Sequence, residues 1–337
     1  MARILKRSFG TVPFLSGGTV SIDLPRNHVF KSLYLRLTGT LLKTGGTTNG
    51  TFNSEFPMSV LASVAVVRNG SDVLQRADGG TLWSLARINS DGDPQRLPLV
   101  AGTTLAAGAT VPFIVDIPID FASWRMQQPS STFLRAVGTS SLRLDVTWAT
   151  PLAQIPASDG VLSYSVGPIL EVFTEEIMDL TGDFGDKLIV ITTKAIAVAS
   201  TQFTVDLATG PFYRRLMFKT TDNAGNTIND SIINRIRIIS DGSFFHTDRL
   251  AWGILQGMNK RLYSLSNPVN AVPLTIVPPL PGYAVVDFAE DGNPAGLIDT
   301  RGASSFQAEL DVSLGTGATQ VQVIQEQFVP ARVATAA

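Results

Sequence analysis

The chain carries one strand-and-turn plan twice. Residues 19–38, TVSIDLPRNHVFKSLYLRLT, align without a gap on residues 202–221, QFTVDLATGPFYRRLMFKTT. Asp23 falls on Asp206, Leu24 on Leu207, Leu33 on Leu216, Arg36 on Lys219 and Thr38 on Thr221. Val66-Val67-Arg68-Asn69-Gly70-Ser71 then meets Ile238-Ile239-Ser240-Asp241-Gly242-Ser243. Trp83 meets Trp252, Phe113-Ile114-Val115-Asp116 meets Ala284-Val285-Val286-Asp287, and Leu144-Asp145-Val146 meets Leu310-Asp311-Val312. The blocks recur in the same order, and their separation drifts only at loops. A period this long is not that of a solenoid. It is the size of one small domain, roughly 100–150 residues. The chain is therefore two related domains.

Local patterns say what each copy contains. Val20-Ser21-Ile22-Asp23-Leu24, Phe203-Thr204-Val205-Asp206-Leu207 and Leu142-Arg143-Leu144-Asp145-Val146-Thr147-Trp148 alternate apolar and polar residues. That is the period of a half-buried strand. Asn69-Gly70 and Asp241-Gly242 punctuate the strands with the residues of tight hairpin turns. Many short strands with such punctuation predict an all-β sandwich. Each copy adds one short helix at a matching place. In the second, Ala251, Ile254, Leu255, Met258 and Leu262 form one apolar stripe. In the first, Leu82, Leu85 and Ala86 begin a similar one. Trp83 and Trp252 are read as core anchors of these helices.

Composition limits the chemistry. Charged residues are only 16% and hydrophobic residues 44%, with mean hydropathy +0.20. Two readings fit: lateral faces covered by other subunits, or a β core with a plain surface. The formal net charge of −2 gives no basic field, so no direct nucleic-acid binding is expected. Cysteine is absent, which excludes disulfides and thiolate sites. No run has the ~18–20 apolar residues of a membrane helix. The start, MARILKRSFG, lacks the apolar stretch of a signal peptide, so the sequons at Asn49, Asn69 and Asn229 read as incidental.

Candidate chemistry is sparse. His28 and His246 do not align in the repeat, and packing or turn roles are read for both. Asp222-Asn223-Ala224-Gly225-Asn226 with Asp230 loosely suggests a calcium loop but fits no EF-hand spacing. Asp91-Gly92-Asp93-Pro94 and Glu290-Asp291-Gly292-Asn293 occupy similar places in the two copies and read as solvated turns. Glu171, Glu175, Glu176 and Asp179 cluster in sequence, which does not create the cleft a glycosidase needs. No GxSxG, Walker loop, Rossmann glycine set or HExxH occurs. No catalytic, cofactor-binding or metal residue is assigned, and no cofactor is expected.

The paired IDL/VDL strands, NGS/DGS turns, Trp-bearing helices and LDV strands resemble the double jelly-roll major capsid proteins of icosahedral prokaryotic viruses, of the type with a membrane beneath the shell. The resemblance covers about residues 19–328. It implies two tandem eight-stranded jelly-roll β-sandwiches, each with a short helix insertion. The expected organisation is an N-terminal arm (1–14), jelly roll 1 (15–150), a bridge with a strand entering the second domain (151–197), jelly roll 2 (198–328) and a C-terminal tail (329–337). The implied function is a virion structural protein, not an enzyme. It would be made in the host cytoplasm and form pseudo-hexameric homotrimers that tile an icosahedral shell. Implied partners are itself, neighbouring capsomers, minor capsid or penton proteins and an internal lipid membrane. By analogy with membrane-containing relatives, Arg3, Lys6 and Arg7 would contact lipid or the inner face. The Gly/Thr/Asn-rich stretch 39–57 is expected as an exposed loop that contributes Asn49, Phe52 and Phe56 to intersubunit contacts, together with the N-terminal arm and the tail. Two alternatives stay open: a secreted two-jelly-roll glycan-processing hydrolase, and a tandem carbohydrate-binding lectin.

Overall fold

In the computed structural model the structure describes residues 3–330, apart from 91–93, 98–103, 124, 157, 179, 181–183, 223–226 and 266–279. Two compact units are present. Among the described residues the first holds those of 3–123 and 128–187 with Pro330, and the second those of 125–127 and 188–329.

The first unit has eight principal strands: β1 (Arg3–Pro13), β2 (Thr19–Asp23), β3 (Val29–Thr44), β4 (Leu61–Arg68), β5 (Asp72–Ala77), β6 (Thr110–Asp120), β7 (Leu142–Trp148) and β8 (Val161–Met178). Helix α1 (Gly79–Asn89) lies between β5 and β6. One sheet runs β1-β8-β3-β6 and the other β2-β7-β4-β5. Each early strand thus pairs antiparallel with its mirror in the order: β1 with β8, β2 with β7, β3 with β6 and β4 with β5. This nested pairing is what an antiparallel ribbon gives when it rolls into a jelly roll.

The second unit repeats the plan with β9 (Asp186–Ile196), β10 (Ser200–Leu207), β11 (Phe212–Asp222), β12 (Ile233–Ser240), β13 (Phe244–Ala251), β14 (Tyr283–Asp287), β15 (Phe306–Val312) and β16 (Thr319–Val329). Helix α2 (Trp252–Leu262) again follows the fifth strand. The sheet orders are β9-β16-β11-β14 and β10-β15-β12-β13. The fold is two tandem jelly rolls, each with a helix at one topological position.

The local reasons are legible. In β7 and β15 alternate residues are buried, Leu142, Leu144, Val146 and Trp148 in one and Phe306, Ala308, Leu310 and Val312 in the other. The hairpin turns match too. Asn69 and Gly70 have φ 52° and 82°, and Asp241 and Gly242 have 52° and 70°. Two successive left-handed residues make the turn that suits the twist of paired strands. The Asn69 side chain accepts from the Ser140 amide at 3.0 Å, and Asp241 accepts from the Ser304 amide at 2.7 Å. Both turns are thus tied to the loop that precedes the seventh strand of their own unit.

Two features add to the sequence reading. Within the expected N-terminal arm, residues 3–13 form a strand of the first sheet and pair along their length with β8. The stretch expected as a bridge, 151–197, holds two long strands: β8 pairs within the first unit, and β9, the strand entering the second, contains the division between Lys187 and Leu188. Two of the five repeat blocks also align differently in space. Val66 and Ile238 pair with Leu144 and Ala308, so Leu144 corresponds to Ala308 and not to Leu310. Arg36 pairs with Asp116 while Lys219 pairs with Tyr283, so Asp116 corresponds to Tyr283 and not to Asp287. Both slips are even. An odd slip would have turned the apolar residues to the wrong face.

Candidate functional site

The N-terminal cations lie on β1, whose register sets Lys6 opposite Glu175 and Arg7 opposite Thr174. Arg7 donates from Nε and Nη2 to the two carboxylate oxygens of Glu176 at 3.1 and 3.2 Å. The hydroxyl of Thr174 donates to the same carboxylate at 2.6 Å. Glu175 accepts from Lys31 at 3.1 Å and Ser32 at 3.0 Å, with Lys6 at 3.4 Å. Burial pushes the Glu175 carboxyl up, but the Lys31 ammonium, Ser32 and Lys6 outweigh it and hold the group below its ordinary value. Of the carboxylates weighed as catalytic candidates, Glu175 and Glu176 are therefore counter-ions of the basic cluster, while Glu171 lies further along β8 opposite Thr11. Arg3 and Lys6 remain exposed at the surface. Asp179 lies outside the described residues.

The stretch expected to be an exposed loop is only partly so. Asn49 is exposed, but Phe52 and Phe56 are buried. Their rings stack at 4.4 Å, and Phe56 meets the core residue Phe113 edge-on at 5.5 Å. Two apolar anchors within a Gly/Thr/Asn-rich sequence drive this burial. At the loop's start Asp159 accepts from the amides of Thr47 and Thr48 at 2.7 and 2.9 Å and from Lys43 at 3.0 Å. Of the expected tail contacts, Val329 ends β16 and 331–337 lie outside the described residues.

Both tryptophans are buried, by different means. Trp83 sits mid-helix in α1 beneath the guanidinium groups of Arg87, at 4.9 Å, and Arg96, at 5.4 Å. Burial, with Arg87 nearby, lowers Arg96 to about 10, with Glu55 opposing. Trp252 opens α2, packs in the core of the second unit and donates from its indole to Asp230 at 3.1 Å.

The stripe expected on α2 is rotated. Ile254 is 61% exposed and Met258 46%. The buried face is Trp252, Leu255, Gln256 and Asn259. Its two amides are spent on the backbone of β14, the edge strand of its sheet. Asn259 donates to Val285 O and accepts from Val285 N, both at 2.7 Å. Gln256 donates to Tyr283 O at 3.1 Å. A helix thus takes the place of the missing strand and blunts the edge. In the first unit the short strand Arg96–Leu97 pairs with the edge of β6 instead.

Sequence reasoning also missed a buried ionic group in the second unit. Arg214 Nη1 donates to Glu326 at 3.3 Å, and Arg215 lies 2.5 Å from the other oxygen of the same carboxylate. All three side chains are 1% exposed. The Arg-Arg dipeptide was visible in sequence, but its carboxylate lies on a strand more than a hundred residues away.

The remaining candidates have separate partners. His28 belongs to the first unit and His246 to the second. His246 shares a 2.6 Å hydrogen bond with Ser240, and burial lowers its pKa. Asp291 and Asn293 cap turns by accepting from the amides two residues on, at 2.9 and 3.0 Å. Asp230 accepts from Trp252, Gln256 and the amide of Gly282. Asp91–Asp93 and Asn223–Asn226 lie outside the described residues. Among the described residues no group of three or more His, Cys, Asp or Glu could hold a metal ion.

No protein-family model and no curated protein matches this chain. Solved structures do. The major capsid protein of STIV, the Sulfolobus turreted icosahedral virus, superposes with TM-score 0.74 at 17% identity, over 99% of this chain and 100% of that one. The major capsid protein of bacteriophage PM2 gives 0.63 at 12% identity, over 100% of both chains. The Faustovirus major capsid protein gives 0.59 at 10% identity, over 98% of this chain and 91% of that one. The matches reach beyond phages to archaeal and giant viruses, so the fold does not select a host class. Over its whole length, this chain has the double jelly-roll fold of viral major capsid proteins.

Proposed function

We propose that this chain is a major capsid protein that associates as a homotrimer and tiles an icosahedral shell. The observation that carries this reading is the full-length match: both units, their nested strand order and both helix insertions fall within a fold whose matched members are capsid proteins. Three chains contribute six similar units, which gives a capsomer of hexagonal outline with cyclic closure. The low charge content and exposed apolar side chains such as Phe244, Ile254 and Val198 suit faces covered by neighbouring subunits. A trimer of this outline cannot occupy a fivefold vertex, so other proteins, minor capsid or penton, complete the shell. Beneath it lies a membrane, met through Arg3 and Lys6, the exposed cations of β1. Each contributes about 1 kcal/mol at an anionic surface. Light scattering after size exclusion tests the assembly. The expected mass is three times 36.0 kDa. A monomer at every concentration overturns the reading.

A further inference from the structure

The outward face of the β10-β15-β12-β13 sheet carries a cavity of about 240 Å³, lined by Thr201, Arg235, Arg237, Arg249, Glu309 and Asp311. Arg237 is committed within the protein. It donates to Asp248 at 2.8 Å and Glu309 at 3.1 Å, and lies over Phe245 at 5.1 Å. Asp311 accepts from Asn234 at 3.2 Å. Arg235 and Arg249 make no side-chain hydrogen bond or ion pair with any described residue. Arg249 has φ 49°, a left-handed conformation for a non-glycine residue, where the β12–β13 register breaks between Ile236 and Ile238. Bulges re-aim side chains, and strain of this kind persists where the surroundings hold it. Among the described residues the first unit lacks the two β12 arginines of this lining. The pairing that sets Val66 against Ile238 puts Ser63 and Ala65 in the places of Arg235 and Arg237.

We propose that this cavity binds an acidic sugar, a pyranose ring bearing one carboxylate. Two uncommitted guanidinium groups take the carboxylate through charge-assisted, bidentate hydrogen bonds. Glu309 and Asp311 accept from ring hydroxyls, and the Thr201 hydroxyl can donate or accept. The same two carboxylates disfavour a bare phosphate dianion. A mixed lining of arginines and acids therefore suits a monoanion rich in hydroxyls. The site does not depend on assembly of a shell.

Titration calorimetry on the full chain tests this with glucuronate, glucose and sodium sulfate as probes. Glucuronate should bind saturably and at least about tenfold more tightly than glucose, since the charged hydrogen bonds are lost with the neutral sugar. Arg235→Ala and Arg249→Ala should each weaken it by about tenfold. Both side chains are exposed, and an unchanged melting curve establishes that the variants fold. Glucose binding as tightly as glucuronate, sulfate binding without glucuronate, or glucuronate binding indifferent to both substitutions overturns the proposal.

Discussion

Arg7 on β1 and Glu176 on β8 are joined by two hydrogen bonds, Nε to Oε1 at 3.1 Å and Nη2 to Oε2 at 3.2 Å. The pair ties the first strand of its unit to the last. The Glu176 side chain is fully buried and Arg7 is 38% exposed. Removing the guanidinium strands a buried carboxylate, a cost near 3–5 kcal/mol in a dry site and below 1 kcal/mol at a surface. With one partner half-exposed, Arg7→Ala should cost about 2 kcal/mol. Arg7→Lys keeps the charge without the fork and should cost less. Urea unfolding followed by circular dichroism measures both. An unchanged midpoint in Arg7→Ala would mean that water or Thr174 alone satisfies Glu176.

Two glycines separate backbone strain from crowding. Gly70 has φ 82°, and a Cβ there would meet nothing within 4 Å. Gly70→Ala should therefore cost only the left-handed backbone penalty, about 1–2 kcal/mol. Gly79 starts α1, and a Cβ there would lie 2.2 Å from the carbonyl oxygen of Met58. That atom is backbone and cannot swing aside, so Gly79→Ala should be clearly the worse of the two. Comparison of their thermal midpoints decides. Equal losses would mean that the segment carrying Met58 yields freely.

The sequence-level account succeeded where signals are local and failed where partners are distant. The Asn69-Gly70 and Asp241-Gly242 turns and the alternation of Leu142–Trp148 are written in adjacent residues. Strand β1 is not: its partner begins about 150 residues later, and nothing in MARILKRSFG announces it. The α2 stripe misled because the buried face spends Gln256 and Asn259 on a sheet edge while Ile254 and Met258 stay outside. Phe52 and Phe56 were assigned by the polar company they keep, and two aromatic anchors outweighed it. The block matches at Asp287 and Leu310 slipped by even steps because a period of two cannot tell them apart. Arg235 and Arg249 had no signal at all, since the cavity they line exists only after β10, β12, β13 and β15 assemble.

Asp159 sets an acid-sensitive anchor for the loop that follows β3. The amide of Thr48, the Lys43 ammonium and the amide of Thr47 hold its carboxyl far below the usual aspartate range. A depressed pKa contributes stability that is fully present above the unfolded value, about 3.9, and is lost as pH falls towards the folded value. The amide resonances of Thr47 and Thr48 should therefore keep their hydrogen-bonded shifts through pH 4 and move only in stronger acid. A titration midpoint at or above about 3.9 in heteronuclear NMR would show that the anchor does not hold in solution. Asp159→Asn should loosen the loop at neutral pH as well, because Lys43, whose side chain is fully buried, then loses its counter-ion.

At Val285 the edge of β14 is closed by one amide side chain. Asn259 returns both backbone hydrogen bonds that a further strand would have supplied to Val285, and it is buried. Asn259→Leu keeps the branched shape of the side chain and removes both bonds. The Val285 N–H and C=O are then left without partners, at about 1–3 kcal/mol each. Asn259→Asp keeps the acceptor and should cost less at the N–H but more at the carbonyl. Hydrogen exchange resolves the two. The Val285 amide should be protected in the wild type, lose protection strongly in Asn259→Leu and retain part of it in Asn259→Asp. An amide equally protected in all three would mean that a different group covers the edge, and α2 would then be a packing element and not the substitute for a strand.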